Sequence, residues 1–148
     1  MTLTRKQQGF TIVELLIVII VIGILATLVL VTFTGIQQSA RNTQRTTDIK
    51  AVASHLETYN AKNGYYPTLA NMNDDAFITS LKGLDKESTK DPNGDTYDFA
   101  STATATQYAY VPTPSGCDND PAVGGLCTGF SLTWKEEGTA ADQTVNNL

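Results

Sequence analysis

The residues that could carry chemistry in this chain are few and lie far apart. Glu14 is a carboxylate at the start of an apolar run, and no charged residue follows it from Leu15 to Ala40. The single histidine, His55, and the two cysteines, Cys117 and Cys127, stand well apart from it. The sequence shows neither a phosphate-binding glycine loop nor a zinc-ligand spacing, and no catalytic set. We therefore predict that the protein is not an enzyme and needs no cofactor.

The apolar run that holds Glu14 predicts a membrane-spanning helix. At about 1.5 Å per residue, the stretch from Leu15 to Ala40 would form a helix of roughly 39 Å, enough to cross a hydrocarbon layer of about 30 Å. A helix satisfies its own backbone in lipid, whereas an isolated strand does not. Arg5 and Lys6 precede the run, so the N-terminus is predicted in the cytoplasm and everything after the helix outside the cell membrane.

Glu14 needs an explanation because a carboxylate at the centre of a bilayer costs about 2.5 to 3.5 kcal/mol. One hypothesis is that the side chain lies within a turn of the interface and reaches water. The other is that it has a partner and a function.

The residues around Glu14 resemble the class III signal of type IV pilins and pseudopilins. A short basic leader ends at Gly9, and Phe10, Thr11 and Glu14 then open a long apolar helix. The resemblance implies that residues 1–9 are a leader, and that a prepilin peptidase cuts between Gly9 and Phe10 and methylates the new amine of Phe10. It also implies assembly into a helical homopolymer with the pilin fold.

Elementary electrostatics explains why such a polymer would need Glu14. Cleavage creates a largely cationic amine on Phe10, since the reference pKa of an α-amino group is about 7.7 to 8. Opposite charges about 4 Å apart attract by roughly 4 kcal/mol at an effective dielectric of 20, before desolvation is subtracted. We expect Glu14 of one subunit to meet Phe10 of a neighbour and to set the register.

The rest of the chain predicts an α+β protein, in which a long helix packs on a small antiparallel sheet. Residues 10–33 form the transmembrane and filament-core helix, residues 34–63 its amphipathic continuation, and residues 64–148 a soluble head. Thr32 to Thr47 is expected to be exposed in a monomer. Five apolar residues recur at helical spacing in the continuation, and we call them the helix stripe: Ile49, Val52, Ala53, Leu56 and Tyr59.

Within the head we predict one short helix and two strands. The helix is capped by Asn73 or Asp74. The strands cover Gln107 to Val111 and Phe130 to Trp134, where side chains alternate between two faces. The polar segment from Gly138 to Leu148 is expected to be loosely held.

Two loops in the head carry further signals. Residues 91–94 read Asp-Pro-Asn-Gly, which matches a type I turn, and the surrounding segment resembles a hairpin of the major type II secretion pseudopilin. Two cysteines in an exported domain most often form a disulfide, so we expect a bond between Cys117 and Cys127. The alternative is two free thiols. The loop between them resembles the C-terminal disulfide loop of pilins. Asp118 and Asp120 are weak candidates for calcium binding, and we predict no other metal site.

Three functions fit these features. The first is a pilin of a type IV pilus, for adhesion, motility or DNA uptake. It would be an inner-membrane protein before assembly and extracellular afterwards, with itself, minor pilins, prepilin peptidase and, indirectly, an assembly platform and its ATPases as partners. The second is a type II secretion pseudopilin, and the third a membrane-anchored binding module that does not polymerise. The disulfide loop favours the pilin and the turn favours the pseudopilin. Few lysines follow Gly64, which disfavours direct DNA binding.

Overall fold

The computed structural model describes residues 9–120, 122–139 and 141–147 of the protein. They form two compact units, one up to Gln37 and one from Gln38 onward. Residues 1–8, which make up most of the predicted leader, lie outside the described residues.

The first unit is the apolar half of helix α1 (Ile12–Asn63). This helix is long and apolar enough to cross a membrane, by length and composition. Its large apolar side chains are exposed in the first unit. The side chains of Thr27 and Thr32 donate to helix carbonyls three and four residues earlier, so these hydroxyls need no partner from lipid.

The second unit contains the head and the second half of α1, which supplies one side of the core. Four residues of the helix stripe, Ile49, Val52, Ala53 and Leu56, are buried, and Tyr59 packs against them half-buried. They share one hydrophobic cluster with Tyr108, Tyr110, Leu132 and Trp134 from the sheet side. The predicted amphipathic helix and its apolar partner are therefore confirmed.

Short helices connect α1 to the sheet. Helix α2 (Leu69–Met72) begins with a capping box between Thr68 and Asn71, and α3 (Asp75–Ser80) follows at once. The side chain of Asp74 accepts the N–H groups of Ala76 and Phe77, so Asp74 is the N-cap, as one of the two predicted alternatives. A 3-10 helix (Lys86–Thr89) comes next.

The sheet has three antiparallel strands in the order β1 (Ala109–Thr113), β2 (Gly129–Lys135) and β3 (Asp142–Asn146). Tyr110 pairs with Leu132, and Leu132 pairs with Val145 on its other side. Along β2 the buried Phe130, Leu132 and Trp134 alternate with half-buried residues, which is the predicted pattern.

Three predictions about the head were wrong in detail. One short helix was predicted, and the structure has α2 and a 3-10 helix in addition to α3. Strand β1 starts two residues later than predicted, and the segment expected to be loosely held contains β3. The sequence of β3 is mostly polar, and its residues alternate only between exposed and half-buried. A search for alternating hydrophobic residues therefore could not reveal this strand. Backbone pairing with β2 and an ion pair between Lys135 and Asp142 at 3.2 Å hold this strand in place.

The outer edge of β1 carries a proline. The N–H of Tyr110 points away from β2, because it donates to the carbonyl of Ala100 at 3.0 Å. Pro112 lies two residues further along the strand and therefore faces the same side. Since proline has no N–H, this edge lacks a donor at Pro112.

Candidate functional site

Glu14 lies in the first turn of α1, and its carboxylate contacts Thr11, the residue just before the helix. Its Oε2 accepts the backbone N–H of Thr11 at 2.8 Å and the Thr11 hydroxyl at 2.6 Å. The Glu14 N–H donates in return to Thr11 Oγ1 at 3.3 Å. This reciprocal arrangement is a capping box, in which a hydroxyl residue and a glutamate three positions later satisfy free donors at the helix start. This capping box was not predicted, although Thr-Ile-Val-Glu at residues 11–14 carries the sequence pattern.

The bond predicted to be cleaved lies outside the helix. Gly9 and Phe10 precede the first residue of α1, and the Phe10 side chain is 81% exposed. The backbone at Gly9 and Phe10 thus lacks the hydrogen bonds of a helix, which a protease would first have to break. Cleavage and methylation at these two residues stay predictions.

A network of charged groups, which was not predicted, joins α1 to the head. Arg45 has an exposure of 0% and binds Asp91 through two hydrogen bonds, Nε to Oδ2 at 2.7 Å and Nη2 to Oδ1 at 2.9 Å. Asp91 is 1% exposed. The expectation that Thr32 to Thr47 is exposed is therefore wrong at Arg45. The helical pattern could not predict this burial, because arginine counts as a polar residue. The partner of Arg45 also lies 46 residues away in the sequence.

Glu137 completes this network on its solvent side. Its carboxylate accepts hydrogen bonds from Arg41 at 2.5 and 2.6 Å, from Arg45 at 3.1 Å and from Asn93 at 2.8 Å. These donors, Arg41 first, lower the pKa of Glu137 to about 2. Asn42 binds the backbone N–H and carbonyl of Glu137 as well. The network thus ties α1 to the segment that follows β2.

The predicted turn at Asp91 is formed and has a second role. The Gly94 N–H donates to the Asp91 carbonyl at 2.8 Å, which closes the turn, and the Asn93 N–H donates to Asp91 Oδ1. A Cβ atom at Gly94 would lie 2.2 Å from the carbonyl oxygen of Thr106, so glycine is required there. The turn presents the Asp91 carboxylate to Arg45.

Cys117 and Cys127 form a disulfide bond, in agreement with the favoured alternative. Asn119 connects the disulfide loop to the segment after α1. Its side chain donates to the Tyr66 carbonyl at 2.9 Å and accepts the Cys127 N–H at 2.9 Å. The Tyr66 N–H in turn donates to the Cys127 carbonyl at 2.8 Å. Asn119 has a φ of 64°, a conformation that asparagine tolerates better than most residues.

Asp118 and Asp120, the two weak candidates for calcium binding, accept hydrogen bonds from the backbone of their own loop. Asp118 Oδ1 accepts the N–H groups of Asp120 and Gly124, and Asp120 Oδ1 accepts that of Ala122. Within the described residues, no group of three acidic, histidine or cysteine side chains is placed to hold a metal ion. These carboxylates therefore organise the loop.

Asp48 lies half-buried on α1, where it contacts Tyr108 of the hydrophobic cluster. The Tyr108 hydroxyl donates to its Oδ2 at 3.5 Å. Burial raises the pKa of Asp48 to about 6, and burial together with the charge of Asp48 raises the pKa of Tyr108. His55 lies on the same helix, seven residues after Asp48.

Comparisons of the sequence with known proteins identify a family and several relatives. Residues 4–30 match the family described as the prokaryotic N-terminal methylation motif. Type II secretion system core protein G of Vibrio cholerae is 33% identical over 107 residues, which cover 66% of this chain and 73% of that protein. The chain belongs to the pilin and pseudopilin family.

Other relatives share a shorter stretch with this pilin-family chain. Type II secretion system core protein G of Escherichia coli is 40% identical over 68 residues, 46% of this chain and 47% of that protein. The protein of the same name from Dickeya chrysanthemi is 39% identical over 64 residues, 43% of this chain and 42% of that protein. The chain thus spans less than half the length of these two relatives. No solved structure matches it.

Proposed function

We propose that the protein is a structural subunit of a type II secretion pseudopilus. This was the second function that the sequence suggested. The observation that carries the proposal is the similarity to core protein G of Vibrio cholerae. The match covers 66% of the 148 residues of this chain, which is more than the 63 residues up to the end of α1, so the similarity reaches into the head. A shared methylation motif alone, at residues 4–30, would not distinguish a pilin from a pseudopilin.

The exposed apolar half of α1 supports a role in which copies of the chain assemble. Its large apolar side chains are exposed in the first unit, so we expect lipid to surround them before assembly and other subunits to cover them afterwards. The subunit would be anchored in the inner membrane after cleavage between Gly9 and Phe10. Its partners would be prepilin peptidase, minor subunits and an assembly platform, whose ATPases act on it indirectly.

Glu14 would change partner during assembly. In the single chain it accepts hydrogen bonds from Thr11, and Thr11 remains in place after the predicted cleavage. In the filament the Phe10 amine of a neighbour would become its counter-charge. The charge that is costly in lipid would thereby set the register between subunits.

The second candidate, a subunit of a surface pilus, is favoured by the disulfide loop between Cys117 and Cys127. Deleting the gene separates the two functions. For a pseudopilin, exported proteins should accumulate in the periplasm while surface filaments and twitching persist. Loss of surface filaments with normal secretion would overturn the proposal in favour of the pilus.

Processing can be measured on the same strain. Mass spectrometry of the mature protein should give a chain that begins at N-methylated Phe10. A chain that retains residues 1–9 in living cells would contradict the assembly mechanism.

A further inference from the structure

The head has a group of cations without carboxylate partners, although its exterior is acidic. Eight lysines and arginines follow Gly9. Most of them are accounted for by carboxylates or an aromatic ring: Arg41, Arg45, Lys86 and Lys135 form ion pairs, and Lys90 lies over the ring of Tyr97. Within the described part of the chain, no carboxylate pairs with Lys50, Lys62 or Lys82.

Two of these three lysines line the same pocket, together with the only histidine of the chain. The pocket has a volume of about 320 Å³ and lies between the last turns of α1 and the end of α3. Six polar residues contribute to its wall: His55, Thr58, Lys62, Asn63, Ser80 and Lys82. No aspartate or glutamate is among the residues that line it.

The backbone explains why these side chains meet. His55, Thr58 and Lys62 recur at spacings of three and four residues, which places them on one face of α1. The chain turns at Gly83, which has a φ of 92°, and a Cβ atom there would lie 3.5 Å from Cε1 of His55. The turn that carries Lys82 therefore sits against the imidazole.

The donors in this pocket are cationic or amide groups. The hydroxyls of Thr58 and Ser80 already donate to the carbonyls of Ser54 and Phe77. Asn63 uses one amide hydrogen on the Tyr59 carbonyl and keeps the second. The ammonium groups of Lys62 and Lys82 and the amide of Asn63 thus remain to bind a ligand.

A plainer role accounts for only part of this arrangement. Lys62 lies in the last turn of α1, where a cation stabilises the negative end of the helix dipole. That role gives no reason for Lys82 or His55 to line the same pocket. Two lysines in the wall of one pocket, with no aspartate or glutamate among the lining residues, instead favour an anion.

We propose that this pocket binds a phosphate group. A phosphate monoester carries a charge of about −1.5 to −2 near neutral pH, which matches two ammonium groups, whereas a single carboxylate matches one. The phosphate could be inorganic or belong to a lipid headgroup. This binding site goes beyond the filament function and does not depend on it.

His55 provides the test, because the only histidine gives one set of imidazole signals. The full chain, with labelled histidine and in detergent micelles, would be titrated with inorganic phosphate and with glycerol 3-phosphate, at constant pH and ionic strength. We expect a saturable shift of the imidazole signals with at least one of them. Saturation by only glycerol 3-phosphate identifies a headgroup, and saturation by inorganic phosphate identifies the free ion. No saturable shift with either would overturn the proposal.

Variants show whether the pocket itself is responsible. Lys62→Gln and Lys82→Gln should each weaken the apparent affinity about tenfold, because each removes a charge-assisted contact. Lys62→Arg should retain it, and Lys50→Gln is the matched control, since Lys50 is exposed and lies outside the pocket. The fluorescence of Trp134 reports whether each variant is folded. Equal affinity in folded Lys62→Gln, Lys82→Gln and Lys50→Gln would refute the site.

Discussion

Arg45 and Asp91 join the long helix to the turn at residues 91–94 through two hydrogen bonds that water does not reach. The pair spans 46 residues of sequence and lies beside the hydrophobic cluster. Burying two charges is costly, and breaking such a pair leaves one of them without a counter-charge.

Replacing Asp91 should therefore destabilise the head strongly. We expect Asp91→Asn to lower the free energy of unfolding by about 3 to 5 kcal/mol, the usual range for a broken buried pair. The measurement is urea unfolding of the full chain in detergent micelles, followed by the fluorescence of Trp134, the only tryptophan. Asp142→Asn is the control, because its pair with Lys135 is exposed and should contribute less than about 1 kcal/mol. Equal effects would contradict the assigned role of Asp91.

Asp48 should make the head more stable as the pH falls from about 6. Burial raises its pKa to about 6, so the folded chain binds a proton more tightly than the unfolded chain does. Stability from this group is present below its ordinary pKa of 3.8 and is lost as the pH rises through about 6. Asp48→Asn should therefore be more stable than the wild type at pH 7, and the dependence between pH 4 and 6 should flatten. Exposed Asp95→Asn should leave that dependence unchanged.

Glu137 should act in the opposite direction at lower pH. Its pKa falls from 4.5 to about 2 in the folded chain, so its contribution is present above 4.5 and is lost as the pH drops towards 2. Glu137→Gln should weaken the loss of stability in acid, measured by unfolding between pH 5 and 2. Glu136→Gln changes the adjacent carboxylate, which makes no side-chain contact with the network. The prediction fails if Glu136→Gln changes the pH dependence of stability in acid as much as Glu137→Gln does.

Asn119 should contribute to stability through its side chain and its backbone conformation separately. Asn119→Gly removes the hydrogen bonds to Tyr66 and Cys127 but keeps the φ of 64° accessible. We expect a loss of about 1 to 3 kcal/mol. Asn119→Ala should cost roughly 1 kcal/mol more, because alanine is strained in that region. The prediction fails if unfolding curves show that Asn119→Ala is more stable than Asn119→Gly.

Glu14 should be required for assembly and dispensable for membrane insertion. Glu14→Ala removes both the charge and the acceptor for Thr11, whereas Glu14→Gln keeps an acceptor without the charge. We expect both variants in the membrane fraction and neither in correctly registered filaments, as seen by electron microscopy of sheared material. Thr11→Ala, which keeps the charge and removes the hydroxyl, should still assemble. Normal filaments from Glu14→Ala would remove the proposed role of the charge.

Periodic features of the fold could be predicted from the sequence. The apolar run, the helix stripe, the alternation in β2 and the cap at Asp74 depend on neighbours within a few residues. The disulfide was predicted from the presence of two cysteines in a domain that was expected to be exported. Such features need no knowledge of distant contacts.

Features that depend on distant partners could not be predicted in this way. Arg45 is buried only because the turn at Asp91 supplies its counter-charge. Strand β3 exists because β2 offers its edge, and Asn119 holds its conformation because Tyr66 and Cys127 lie beside it. The capping box at Glu14 is different, because it depends only on residues three apart. Its sequence pattern was present, and the box could have been predicted.

Pro112 affects how copies of this protein can meet. A β-strand from a second head would need a donor at that point along β1, and a pyrrolidine ring stands there instead. In the proposed filament, the proline would discourage sheet extension between heads along this edge and so guard against aggregation at a high local concentration of subunits. Ordered growth would then depend on contacts between the apolar N-terminal helices.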